Sequence, residues 1–79
     1  MPIVLRAGKY KVKVYYNDHG GIHAHVVGPG GDAKIYLDGT VESTTFRKRS
    51  ELKTAVILVT QNKNLIKDAW REYAEASED

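Results

Sequence analysis

From Lys9 to Tyr16 the chain reads KYKVKVYY, with Lys9, Lys11, Lys13 and Tyr15 alternating against Tyr10, Val12, Val14 and Tyr16. A strict period of two is the mark of a strand with one face in a core and the other in water. The stretch Asn17-Asp18-His19-Gly20-Gly21 that follows is turn chemistry, since Asn, Asp and Gly tolerate the backbone of a tight reversal. Residues 23–27 resume an extended pattern, and Gly28-Pro29-Gly30-Gly31-Asp32 is a second break. Ala33, Ile35 and Leu37 then alternate with Lys34 and Tyr36, while residues 3–6 form a short apolar-led run stopped by Ala7-Gly8. Regular strands with short breaks predict an antiparallel meander.

The second half changes period. Ser50 followed by Glu51 predicts a helix N-cap with an acid at the positive end of the dipole. Leu52, Val56, Val59, Ile66, Trp70 and Tyr73 then share one helical stripe, with Ala55 and Ala69 beside it. The polar cluster Gln61-Asn62-Lys63-Asn64 interrupts the stripe without changing its phase, leaving two segments, 50–62 and 64–76, or one continuous helix. The expectation is one α+β domain over residues 1–79. Residues 1–38 supply a small antiparallel sheet of three to four strands, residues 50–76 one or two helices on one face, and 77–79 a frayed acidic tail.

Alternation also assigns sides. If Val12, Val14, Ala24, Val26, Ile35 and Leu37 face the helices, the other face displays Lys11, Lys13, Tyr15, His23, His25, Lys34 and Tyr36. Each large apolar side chain gains about 1.5–3 kcal/mol on burial, and a one-residue slip would bury lysines instead. Both histidines are therefore expected on an exposed sheet surface.

At 79 residues the chain is near the lower size for a single apolar core, and without cysteine it has neither disulfides nor thiolate metal sites. The net charge of +2 conceals an asymmetry: residues 1–71 carry +6 and the last eight −4. A basic body is compatible with a polyanionic partner. The opening apolar run is too short for a signal peptide and AVILV far too short to span a membrane, so a cytoplasmic protein is expected.

All three histidines fall within NDHGGIHAHVVG, residues 17–28. One reading is a metal site, with His23 and His25 on the same side of a strand and His19 or Asp18 as a further ligand. A second needs no cofactor: two imidazoles act as base and acid while Lys13, Lys34 or Arg47 holds phosphate, which is enough for RNA cleavage by its own 2′-hydroxyl. The third is a solvated face whose turn is shaped by Asn17, Asp18 and His19. The glycine-rich 28–31 precedes a strand rather than a helix, against a nucleotide loop. Arg47-Lys48-Arg49 is either a phosphate contact or a solvated loop; Tyr15 and Tyr36 are better placed to stack on bases than Trp70 and Tyr73.

The segments MPIVLR, KYKVKVYYNDHGGIHAHV, AKIYL and NLIKDAWREYAE resemble the bacterial family named domain of unknown function 4160, over nearly the whole chain. The most specific part is Tyr16-Asn17-Asp18-His19 followed by His23-Ala24-His25-Val26, with Gly20-Gly21-Ile22 where the family usually has prolines. The resemblance implies a small prokaryotic protein encoded beside another small protein, in the manner of toxin–antitoxin modules, and it marks Asn17, Asp18, His19, His23 and His25 as motif positions. The leading expectation is an RNA-engaging protein, a ribonuclease in its strongest form. His23 and His25 exchange protons, Asp18 and His19 support them, and Lys11, Lys13, Lys34, Arg47, Lys48, Arg49 and the two tyrosines contact RNA. The alternatives are a non-enzymatic binder of nucleic acid or of a cognate protein, and a metal protein using His19, His23 and His25 with a divalent ion. An edge strand near residues 3–6 also invites a homodimer.

Overall fold

A computed structural model describes residues 3–14 and 21–76, with side chains through residue 72. Five strands run in chain order across one antiparallel sheet: β1 (Ile3–Ala7), β2 (Tyr10–Lys13), β3 (His23–Gly28), β4 (Gly31–Tyr36) and β5 (Val41–Thr44). Two helices follow, α1 (Arg49–Thr60) and α2 (Lys63–Ala76). The α+β meander is the predicted one, with one strand more than expected. β5 carries the sheet past residue 38, where it pairs with β4 through a register shift between Lys34 and Ile35.

The alternation reads the core correctly. Val12, Val14, Ala24, Val26 and Ile35 are fully buried, and they cluster with Ala33, Phe46, Ala55, Val59 and Ile66. Leu37 lies past the end of β4 and is only half-buried. Helix α1 packs on β2 and β4, and α2 on β1, so the apolar face of the sheet is the face the helices cover.

One expectation about the helices is corrected. Ser50 is not the N-cap: the cap is Lys48, in extended backbone with no capping side chain. The Glu51 and Leu52 N–H groups both donate to the Lys48 carbonyl, at 3.1 and 3.2 Å, which closes the first turn two residues earlier than a cap at Ser50 would. The helical stripe is divided into two segments at the polar cluster 61–64, the first of the two arrangements the sequence allows. Asn62 Nδ2 donates to the Leu58 carbonyl at 2.7 Å, and the Asn62 carbonyl accepts from Ile66 N–H at 3.0 Å, so one residue ends α1 and starts α2.

The glycine-rich turn between β3 and β4 is explained by close approach rather than by a nucleotide. A Cβ on Gly28 would lie 2.8 Å from the Tyr10 ring, and one on Gly30 would lie 2.1 Å from a Glu51 carboxylate oxygen. Phe46, from the β5–α1 connection, stands 6.3 Å from the Tyr10 ring centroid. The start of α1 therefore sits against this turn.

Candidate functional site on the sheet face

The strand register builds the site directly. Lys13 pairs with His25 and His25 with Lys34, so these side chains form one row across β2, β3 and β4. A second row joins His23 and Tyr36, and a third joins Arg6, Lys11, Val27 and Asp32. All project from the face opposite the core, because their strand neighbours Val12, Ala24, Val26, Ala33 and Ile35 are the buried residues. Among the described residues no helix packs on this face.

Depth is not what alternation predicts. His23 is 1% exposed, which overturns the expectation that both histidines lie on an exposed surface. Its ring meets Tyr36 edge-on with centroids 5.5 Å apart, and His25 likewise at 5.4 Å. Its Nδ1–H donates to the Gly21 carbonyl at 2.8 Å. A carbonyl can only accept, so Nδ1 carries a hydrogen. His25, half-buried beside it, is the more accessible imidazole.

Sequence reasoning missed the acidic member of the cluster. Glu42, on β5, accepts a short hydrogen bond from the Tyr36 hydroxyl and pairs with Lys34 Nζ at 3.0 Å. The register shift puts two β5 residues opposite Lys34, which turns Glu42 toward this face. The available signal was Thr40-Val41-Glu42-Ser43-Thr44, rich in strand formers and preceded by the turn residues Asp38-Gly39. Arg6 was missed too; it joins the face only through pairing with Lys11.

The electrostatics follow. The Tyr36 hydrogen bond and then Lys34 hold the Glu42 carboxyl below the ordinary carboxylate range, and the same bond to Glu42 raises the Tyr36 phenol. At the β4–β5 turn, hydrogen bonds from Thr40 lower Asp38, whose Oδ1 accepts from Thr40 N–H at 2.9 Å. A depressed carboxyl stabilises the fold above its unfolded value of about 4 and loses that contribution as pH falls through the lowered one. A raised phenol stabilises it below about 10 and loses that contribution as pH rises through the raised value. Denaturant midpoints should thus be insensitive to these groups near neutrality and fall at both extremes. Glu42→Gln should remove Glu42's share of the acid limb, and an unchanged limb would count against the pairing.

Of the other predicted residues, Lys11 is exposed and Lys13 half-buried, both on this face. Arg47, Lys48 and Arg49 are exposed but elsewhere: they flank Phe46 and Glu51, which meet the β3–β4 turn. His23 starts β3 and that turn ends it, about 17 Å away at 3.3–3.4 Å per residue. The basic triplet and the His23–Tyr36 row are therefore at opposite ends of the sheet. Tyr15, Asn17, Asp18 and His19 lie outside the described residues, so a three-histidine ligand set is not described. Among the described residues no three His, Asp or Glu side chains converge on a metal position.

The site and fold together define a small α+β protein: an antiparallel meander backed by two helices, with a histidine-, lysine- and tyrosine-bearing sheet face. The model of the family Domain of unknown function (DUF4160) matches residues 10–71, and the chain belongs to that family. That span holds β2 through most of α2, including His23, His25 and Glu42. No curated protein and no solved structure gives a match. No helix of the described residues is long and apolar enough to cross a membrane.

Proposed function

We propose that the protein binds single-stranded RNA on this sheet face, as a nucleic-acid-binding member of a toxin–antitoxin-type pair. One observation carries the reading: the register lines up Lys13, His25 and Lys34 side by side across three strands. Neighbouring strands are about 4.8 Å apart, so the row offers two lysines flanking an imidazole to a sugar–phosphate backbone. Lys11 and Arg6 extend it on the next row. A binding module needs only this surface and salt-dependent phosphate contacts. The paired partner protein, which comes from the family resemblance, and the cytoplasmic location are part of the proposal. β1, an edge strand with Ile3 at 39% exposure, is where two copies would pair if the protein is a homodimer.

Fluorescence anisotropy with a labelled RNA strand, in chelator and over a range of salt, tests it. Wild-type protein should bind with an affinity that falls as salt rises. Lys13→Ala should weaken binding and flatten the slope of log K against log salt by about 0.7, the single-strand value for one phosphate contact. Absence of binding, or a slope unchanged by the substitution, overturns the reading.

Cleavage is the second reading, favoured by the imidazole pair at 5.4 Å with one Nδ1–H held by Gly21. With His23 buried, His25 would meet the substrate and His23 would position it. RNA turnover in chelator that disappears in His25→Ala would establish it; intact RNA would leave a binder.

A further inference from the structure

Among the described residues Glu42 is the one acidic side chain found among the cations at the centre of this face, and its two hydrogen-bonding partners there are both donors. Lys34 offers an ammonium at 3.0 Å to one carboxylate oxygen, and the Tyr36 hydroxyl donates to the other. An ammonium and a phenol converging on two oxygens of one anion is the arrangement that would also take two oxygens of a phosphate. The carboxylate is not locked away: the Glu42 side chain is 45% exposed, on a short edge strand, while Lys34 at 20% is held down among the neighbouring strands. Tyr36 is held as well, edge-on to the buried His23 ring. The donors are thus fixed and the acceptor is replaceable.

We infer that Glu42 is an internal stand-in for a phosphate: Lys34 and Tyr36 form the phosphodiester subsite, and Glu42 occupies it until a ligand phosphate displaces it. The ligand class comes from the RNA reading, on which this inference rests, whereas the subsite itself depends only on the Lys34–Tyr36–Glu42 geometry. Competition of this kind weakens binding to any isolated phosphate. It favours ligands that engage the Lys13–His25 part of the row at the same time, and so selects a strand over a free anion.

Two probes separate the levels of the claim: inorganic phosphate, followed by the Lys34 and Tyr36 side-chain resonances, and a single-stranded RNA oligonucleotide, followed by anisotropy. Glu42→Gln keeps an acceptor for the Tyr36 hydroxyl but removes the charge facing Lys34. It should raise affinity for both probes about two- to fivefold, the range of an exposed ion pair, and steepen the RNA salt slope. The Tyr36 phenol should titrate at lower pH. Tyr36→Phe removes one donor and should weaken phosphate binding with Glu42 still in place, a check that does not depend on how well the Gln variant folds. If RNA binds neither protein while phosphate binds Glu42→Gln more tightly, the subsite stands and the RNA reading falls. If RNA binds both proteins equally and phosphate does too, the RNA reading stands and the subsite falls. Loss of amide protection along Val41–Thr44 with unchanged affinities would make Glu42 only a tie between β5 and β4, and would overturn the inference.

Discussion

Gly31→Ala is expected to lower the free energy of unfolding by about 2–5 kcal/mol, combining strain at an unfavourable backbone angle with overpacking. Gly31 has φ +146°, and a Cβ there would lie 2.7 Å from Thr45 Oγ1 and 2.9 Å from the Phe46 backbone nitrogen. Two of the three obstructing atoms are backbone, and neither they nor the Thr45 hydroxyl can step aside cheaply. Thr45 N–H donates to the Asp32 carbonyl at 2.8 Å, Asp32 N–H donates to Thr45 Oγ1 at 2.9 Å, and the Thr45 hydroxyl donates to the Asp32 carboxylate at 2.9 Å. Moving Thr45 would break these bonds and shift Phe46 out of the core. Domains of this size have about 4–12 kcal/mol in total, at 0.05–0.15 kcal/mol per residue, so the variant would be close to unfolding at room temperature. Gly8→Ala is the internal control, because Gly8 has φ +59° but nothing within 4 Å of a new Cβ. It should cost only the backbone part, about 1–3 kcal/mol. Urea midpoints of both variants, with unchanged m-values, measure the difference; if Gly31→Ala is no worse than Gly8→Ala, the turn does not pack as described.

His23→Ala and His25→Ala should separate stability from binding. The first removes a ring that is 1% exposed, leaves the Gly21 carbonyl without its donor, and strips an edge contact from both Tyr36 and His25. Cavity formation together with the lost hydrogen bond is expected to cost about 2–4 kcal/mol. His25→Ala empties a half-buried position on the open face, so it should cost less than about 1 kcal/mol, as surface changes do, while weakening RNA binding. Thermal or urea unfolding and RNA anisotropy on the same two proteins decide the matter. A His23→Ala protein as stable as wild type but unable to bind RNA would make His23 a ligand-contacting residue and refute the positioning role.

What could be read from the chain follows the range of the forces involved. Alternation is a local property, because successive strand side chains must point to opposite sides. It placed Val12, Val14, Ala24, Val26 and Ile35 in the core and His23, His25, Lys34 and Tyr36 on the other face. The switch to helical period after residue 50 is local in the same way. β5 was only faintly legible: its strand formers follow a turn, but with Val41 its only apolar residue it is held by pairing with β4 and by the Glu42 contacts. The polar cluster at 61–64 marked the break between the helices, but that Asn62 makes it depends on where one amide group donates, which the hydrophobic stripe does not reveal.

The same division runs through the candidate site. Its composition was visible in the motif around His23 and His25, but its burial and charge balance were not. His23 is buried beside Tyr36, thirteen positions on, and Lys34 is met by a carboxylate from a strand whose register shift turns it toward the same open face. By itself the sequence determined the fold class and which face each strand residue takes, since periodicity and the gain from burying apolar side chains act along the local chain. Only the tertiary structure decided that one histidine is buried, that Arg47–Arg49 sit at the far end of the sheet, and that Glu42 occupies the donors of Lys34 and Tyr36, because each depends on which distant strands become neighbours.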